Sequence, residues 1–172
     1  MTYYDEIAEG YEELHGEEQQ RKIKLIKAEL KKMHWNIKKE DTLLDVACGT
    51  GLTTAPWQCK RTGIDPAKKL LEKAKKKYPE IVWMQGVAEQ LSFPDTSFDW
   101  IISITALQNF DDPEKALLEM KRTGKGKFII SFLKKSDKRE DFIKKIKKYF
   151  VIVNKVEEDK DLIFFLKKSN LK

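Results

Sequence analysis

The chain of 172 residues has no apolar run approaching the ~18 residues that a membrane-spanning helix requires. Its opening M-T-Y-Y-D-E is polar and acidic, unlike a signal peptide, so a soluble cytoplasmic protein is the expectation. Cysteine is scarce. Cys48 and Cys59 lack CxxC spacing and nearby His or Cys partners, so neither a disulfide framework nor a zinc site is indicated, and no metal is expected. Arginine occurs only at positions 21, 61, 122 and 139, which leaves most of the net charge of +6 to lysines interleaved with glutamates. Arginine is the better fork for phosphates and base edges, so the positive charge reads mainly as solvated helix faces and only secondarily as a nucleic-acid surface. Repeats and disordered linkers are absent. A chain of this size folding as one domain buries roughly 70% of its unfolded surface. The expected layout is a single domain over 1–172, with an N-terminal helical lid and packing helix over 1–35 and a ligand-binding core over 42–168.

What is present centres on residues 42–54, T-L-L-D-V-A-C-G-T-G-L-T-T. Leu43, Leu44 and Val46 form a short apolar run of the kind that makes a strand buried on both faces, and Gly49-Thr50-Gly51 closes it as a turn. Glycine at 49 and 51 allows positive φ and close approach of a ligand to the backbone. Two phosphate-binding readings are disfavoured here. The dinucleotide fingerprint needs Gly or Ala where Thr54 stands, and the phosphate loop needs a lysine that Gly51-Leu52-Thr53 does not supply. Cys48, inside the turn, reads as a small buried residue rather than a nucleophile.

The stretch L-L-D-V-A-C-G-T-G resembles the first motif of class I S-adenosylmethionine-dependent methyltransferases, an acid near a strand end followed by a small-x-Gly-x-Gly turn. The resemblance continues in order across most of 43–167. Arg61-Thr62-Gly63-Ile64-Asp65 reads as a second strand ending in an acid 20 residues after Asp45, near the spacing at which open α/β nucleotide sites set a carboxylate against ribose hydroxyls. The resemblance makes Asp65 the ribose residue; Pro66 also fits a first helical position, with the acid capping that helix. Residues 86–93, G-V-A-E-Q-L-S-F, follow a third strand and resemble the family's Gly-Asp-Ala…Leu-Pro-Phe motif, with Val87 where the aspartate usually receives the adenine amino group. There the backbone of Ala88 and the side chains of Val87 and Glu89 are the expected adenine contacts. Residues 98–105, F-D-W-I-I-S-I-T, match the family's fourth strand. The implied binding set is Asp45, Ala47, Cys48, Gly49, Gly51, Asp65, Pro66, Val87, Ala88, Glu89 and Ser103, with S-adenosylmethionine as cofactor.

Flanking segments complete the expectation. Tyr4, Ile7, Ala8, Tyr11 and Leu14 recur at helical spacing with Gly10 breaking the run, which predicts two short helical pieces; the resemblance implies a segment folded over cofactor and substrate. Ile23, Ile26, Leu30 and Met33 predict an amphipathic helix over 17–32. Only residues 52–60, with Pro56 in the middle, are available for the next helix, which is expected to be short with its amides facing the ligand, and Trp57 to fill space beside it. Asp112-Pro113-Glu114 begins a capped helix, residues 123–126 form a turn before a fifth strand over 127–133, and Ser136 or Asp137 caps a last helix. Residues 150–156 and 162–167 end the chain as two strands, one antiparallel. The fold class is therefore α/β, a Rossmann-like doubly wound sheet of seven mostly parallel strands with helices on both faces. For chemistry, Tyr11, His15, Gln108 and Asn109 are candidate groups near the acceptor, with Asp111 and Glu89 as further possible bases. A small-molecule acceptor is expected. Methylation of tRNA or of a translation protein, with or without a partner subunit, and S-adenosylmethionine binding without catalysis stand as alternatives.

Overall fold

The computed structural model describes residues 3–169; the ends of the expected 1–172 domain lie outside the described residues. Seven strands form one sheet in the order β3-β2-β1-β4-β5-β7-β6. β1 is Thr42–Val46, β2 Lys60–Asp65, β3 Val82–Gln85, β4 Phe98–Ser103, β5 Gly124–Leu133, β6 Phe150–Glu157 and β7 Asp161–Lys168. The pairs among β1 to β5 are parallel, whereas β7 runs antiparallel to both β5 and β6. The α/β class and the antiparallel ending agree with the sequence reading.

Alternate residues along each central strand feed opposite layers, as the pleat requires. Leu44, Ile101, Phe128, Ile130 and Phe164 pack with Leu117 and Met120 of α4 (Pro113–Thr123) and Phe142 and Ile146 of α5 (Arg139–Tyr149). Leu43, Trp100, Ile102, Ile129 and Phe165 pack on the other face with Ile23, Ile26 and Leu30 of α2 (Tyr11–Lys32). α3 (Lys68–Lys77) buries Leu70, Leu71 and Ala74 while its lysines face solvent. Its start meets α1 (Tyr3–Glu6) and the following turn, where Ala8, Tyr4 and Tyr11 gather against Ala67 and Leu70. Among the described residues no helix is long and apolar enough to cross a membrane.

Several local expectations differ from what forms. The second short N-terminal piece and the packing helix are one helix, α2, which runs through Gly16; Leu14 consequently points outward and is 67% exposed. A mid-helix glycine costs ~1 kcal/mol relative to alanine. That cost is offset by a buried polar cluster just beyond Gly16. Lys22, fully buried, meets Glu18 at 2.5 Å, Asp161 at 3.1 Å and the Thr105 hydroxyl at 2.8 Å. Asp161 also accepts from the hydroxyls of Ser131 and Thr105, and Lys160 closes on Glu18 at 2.7 Å, so two cations balance two carboxylates and fasten α2 to the ends of β4, β5 and β7.

No helix forms over 52–60. Thr54 and Ala55 amides return to the Gly51 carbonyl, but the next carbonyls bind side chains instead of helical amides. Trp57 Nε1 donates to Thr53, Arg61 to Ala55 and Lys27 to Pro56. Trp57 is buried in the layer beneath α2, which is the packing role expected of it. Pro66 lies before α3 rather than at its first position, because Ala67 is the cap residue and the Asp65 carboxylate takes its amide at 2.8 Å. Residues 123–126 make no separate turn; α4 passes directly into β5, with Gly124 already in the strand under the Phe128 ring. At α4 the cap is as expected, Asp112 accepting from the Lys115 amide ahead of Pro113. At α5 neither Ser136 nor Asp137 is the cap residue, which is Lys138 and has no side-chain cap.

Candidate functional site

Strand order reverses direction between β1 and β4, so the carboxyl ends of these strands open a crevice in which open α/β sheets bind ligands. The glycine turn leaves β1 at that edge. Its backbone is held in left-handed geometry at Ala47 (φ 63°), Gly49 (φ 55°) and Gly51 (φ 85°). For Ala47 this conformation costs ~1–2 kcal/mol. The turn is fixed by Ala47 and Cys48 amides donating to the Ile64 carbonyl and by the Gly49 amide donating to Asp65 Oδ2 at 2.9 Å.

Space above the two glycines is already used. The Trp83 ring of β3 lies over Gly51 so closely that a Cβ there would stand 2.4 Å from it. At Gly49 a Cβ would meet the Tyr11 hydroxyl at 3.2 Å, so the start of α2 rests on the turn. The cavity left beside the turn is about 10 Å³, lined by Tyr11, Gln19, Ala47, Cys48, Thr50, Leu52, Thr53 and Ile104.

The electrostatics are acidic. Asp45 is fully buried, with Oδ2 receiving the Thr53 and Thr54 hydroxyls at 2.7 and 2.6 Å and Oδ1 receiving no hydrogen bond from the described residues. Burial pushes its carboxyl up to about 7; the two threonine hydroxyls oppose this, and the nearby charge of Asp65 adds to it. Asp65 is also raised by burial, against the pull of the Ala67 and Gly49 amides. Each of its oxygens accepts one backbone amide and keeps a lone pair for a hydroxyl donor. Burial and the two acids push the Cys48 thiol well above its ordinary value, which removes it as a nucleophile.

The predicted residues separate into groups. Asp45, Ala47, Cys48, Gly49, Gly51 and Asp65 converge at the turn, with Tyr11 over them. Ser103 is buried and donates its hydroxyl to the Val46 carbonyl at 2.9 Å, tying β1 to β4. Val87 is 45% exposed, Ala88 is buried, and Glu89 accepts the Asp112 amide at 3.3 Å. Pro66 is exposed and its carbonyl accepts from Gln85. Among the acceptor-side candidates, burial and neighbouring acids raise the Tyr11 phenol, so at neutral pH it is a donor and not a base. His15 lies against Tyr11 with ring centroids 5.0 Å apart. Asn109 donates to the Tyr4 hydroxyl at 2.8 Å; Gln108 is held at both ends, donating to the Thr105 carbonyl and accepting from the Leu133 amide. Asp111 is exposed. Sequence reasoning passed over Gln19, Thr50, Thr53, Thr54 and Trp83. For Gln19 the signal was available: it occupies the position one turn before Ile23 on the stripe that continues through Ile26 and Leu30, a polar residue on a buried face.

The arrangement suits a ligand carrying positive charge and hydroxyls. Two buried acids, one with a free oxygen, would repel a pyrophosphate and receive an ammonium or sulfonium. A sequence model described as a methyltransferase domain matches residues 44–130. The demethylmenaquinone methyltransferase of Chlorobaculum tepidum is 36% identical over 88 residues, covering 49% of this chain and 36% of that protein; the chain thus spans well under half the length of this relative. Among solved structures, the putative methyltransferase in complex with the Trm112 activator of Haloferax volcanii superposes with a TM-score of 0.80 at 15% identity over 99% of each chain. Magnesium protoporphyrin IX methyltransferase from Synechocystis with bound S-adenosylmethionine superposes with a TM-score of 0.73 at 20% identity, over 88% of this chain and 80% of that one.

Proposed function

This chain belongs to the methyltransferase-domain family, and from that premise we propose that it transfers a methyl group from S-adenosylmethionine to a small-molecule acceptor. The observation that carries the reading is the buried acid pair at the glycine turn, Asp65 with lone pairs for ribose hydroxyls and Asp45 with a free oxygen beside a cavity whose lining includes no Lys or Arg. When bound, S-adenosylmethionine supplies an activated sulfonium methyl, so no metal or redox group has to be added.

The chain's own residues then have three tasks. Asp65 and the amides around Gly49 fix the ribose side, while Asp45 with Thr53 and Thr54 forms the wall of the amino-acid side. Tyr4, Tyr11 and the first turns of α2 exclude water from above; in this reading residues 1–35 are the lid and packing helix and 42–168 the core. A cavity of about 10 Å³ admits no adenosyl amino acid, which belongs in sites of ~300–1,000 Å³, so α1 and the start of α2 must swing outward during loading. Their polar ties include the Asp5 carboxylate on the Lys69 amide, Lys73 on the Ala8 carbonyl, Lys77 on Glu12, and Asn109 on Tyr4. Beyond residue 18 the buried Lys22 cluster keeps α2 in place. On the acceptor side Tyr11 donates a hydrogen bond, Asn109 orients, and His15 is the group placed to take a proton from an amine or hydroxyl.

A small acceptor is supported by a relative named for a quinone precursor and a structural neighbour named for a porphyrin. A second reading, in which a partner subunit supplies recognition of tRNA or a translation protein, is favoured by one observation: the structure matched over 99% of both chains is a complex with an activator. Calorimetry with S-adenosylmethionine, its demethylated product and NADH tests the cofactor. Binding of the first two and not of NADH is expected; the reverse would overturn the assignment. Labelled S-adenosylmethionine with cell extract, separated into metabolites, RNA and protein, tests the acceptor, and label in the metabolite fraction is expected. Label in RNA, with binding that weakens steeply in salt, would favour the second reading.

A further inference from the structure

Among the described residues, three buried polar atoms around the glycine turn have no hydrogen-bond partner: Gln19 Oε1, Thr50 Oγ1 and Asp45 Oδ1. Two of them, on Gln19 and Thr50, belong to residues lining the same small cavity, and Asp45 is joined to that cavity through its bond to Thr53. Gln19 comes from α2, far from the turn in sequence, and is 7% exposed. Looseness does not explain its orphaned oxygen. Glu18 and Lys22, on either side of it, are bound in the buried cluster, so the helix at Gln19 is rigidly placed. A rigid, buried amide with an empty lone pair is a preorganised acceptor.

We propose that Gln19 is a specificity residue for the amino-acid half of S-adenosylmethionine, its side-chain oxygen accepting a hydrogen bond from the ligand's ammonium group. The inference rests on the methyltransferase reading above. Its chemistry follows from what the cavity lacks. The free atoms are a carboxylate oxygen, an amide oxygen and a hydroxyl, so the missing partner is a multiple donor with positive charge, which an ammonium is and a phosphate or carboxylate is not. Core and lid then divide the ligand between them. Asp65 reads the nucleoside, and α2 reads the part of the molecule that a simple nucleoside does not have.

The test is calorimetry on the full chain with two ligands, S-adenosylhomocysteine and 5′-methylthioadenosine, the second having the same nucleoside without the amino-acid end. Gln19→Ala is expected to weaken S-adenosylhomocysteine by about 10- to 100-fold, the loss of one hydrogen bond to a charged group, and to leave 5′-methylthioadenosine within about threefold. Asp65→Ala is expected to weaken both. Retained nucleoside binding by Gln19→Ala also demonstrates that this variant is folded. Unchanged affinity for S-adenosylhomocysteine, or equal weakening of the two ligands, would overturn the role of Gln19, since a residue that only positions α2 would move both together. Wild-type protein that binds neither compound would overturn the methyltransferase reading itself, and this inference with it.

Discussion

Replacing Asp45 by Asn isolates the energetic consequence of burying an acid under the glycine turn. The carboxyl is pushed up to about 7 in the folded protein, from 3.8 in its ordinary state. Between those two values the folded chain holds a proton that the unfolded chain has released, so stability is full below the lower value and declines as pH rises toward the upper one. At 1.36 kcal/mol per pH unit the whole window is worth ~4 kcal/mol as a ceiling. Relaxation around a buried charge brings the expected figure nearer ~2 kcal/mol. Asn keeps the shape, and its amide oxygen can receive the Thr53 and Thr54 hydroxyls that Asp45 receives now, but it never carries the charge. Urea denaturation of the ligand-free proteins at pH 8 is therefore expected to show Asp45→Asn more stable by ~2 kcal/mol, or ~4–8 °C in Tm. At pH 4 the two proteins should agree within ~0.5 kcal/mol, as for a substitution of no structural consequence. Asp65, whose charge adds to the rise at Asp45, is relieved in the variant and moves the gap in the same direction, while titrating groups remote from Asp45 are common to both proteins and cancel. A stability gap that does not change with pH, or a variant less stable at pH 8, would refute the reasoning.

Lys22→Met leaves Asp161 buried opposite Glu18 without the ammonium between them, and a loss of ~3–5 kcal/mol in urea denaturation is expected; a loss below ~1 kcal/mol would mean that the cluster does not fasten α2. Ala47→Gly relieves a left-handed residue at φ 63° but adds freedom to the unfolded chain, for a net gain of ~0.5–1 kcal/mol by thermal melting. A lower Tm for that variant would show that the Ala47 methyl contributes packing that outweighs the strain.

Legibility differed by the kind of signal. Strands β1, β4, β5 and β7 read directly because continuous apolar runs between turns have few alternatives. The cap of α4 read directly because Asp112 and Pro113 act within one turn of chain. The segment after Gly51 did not, since what prevents a helix there is a set of side chains from positions 27, 57 and 61 taking its carbonyls. The length of α2 was hidden for a similar reason: the helix expected from residue 17 begins at Tyr11, and the contact that fastens it, Lys22 to Asp161, spans more than a hundred residues.

By itself the order of residues determined the strand sequence, the site of the glycine turn after β1 and the two acids, Asp45 and Asp65, that flank it, because each depends on neighbours within a few positions. Only the tertiary structure decided that Trp83 and Tyr11 would occupy the space above the two glycines, that Gln19 would face the turn with an unpaired oxygen, and that Asp45 would stand fully desolvated. Burial and long-range pairing are properties of the packed whole, and they raise or lower a group's chemistry through distances that no spacing along the chain contains.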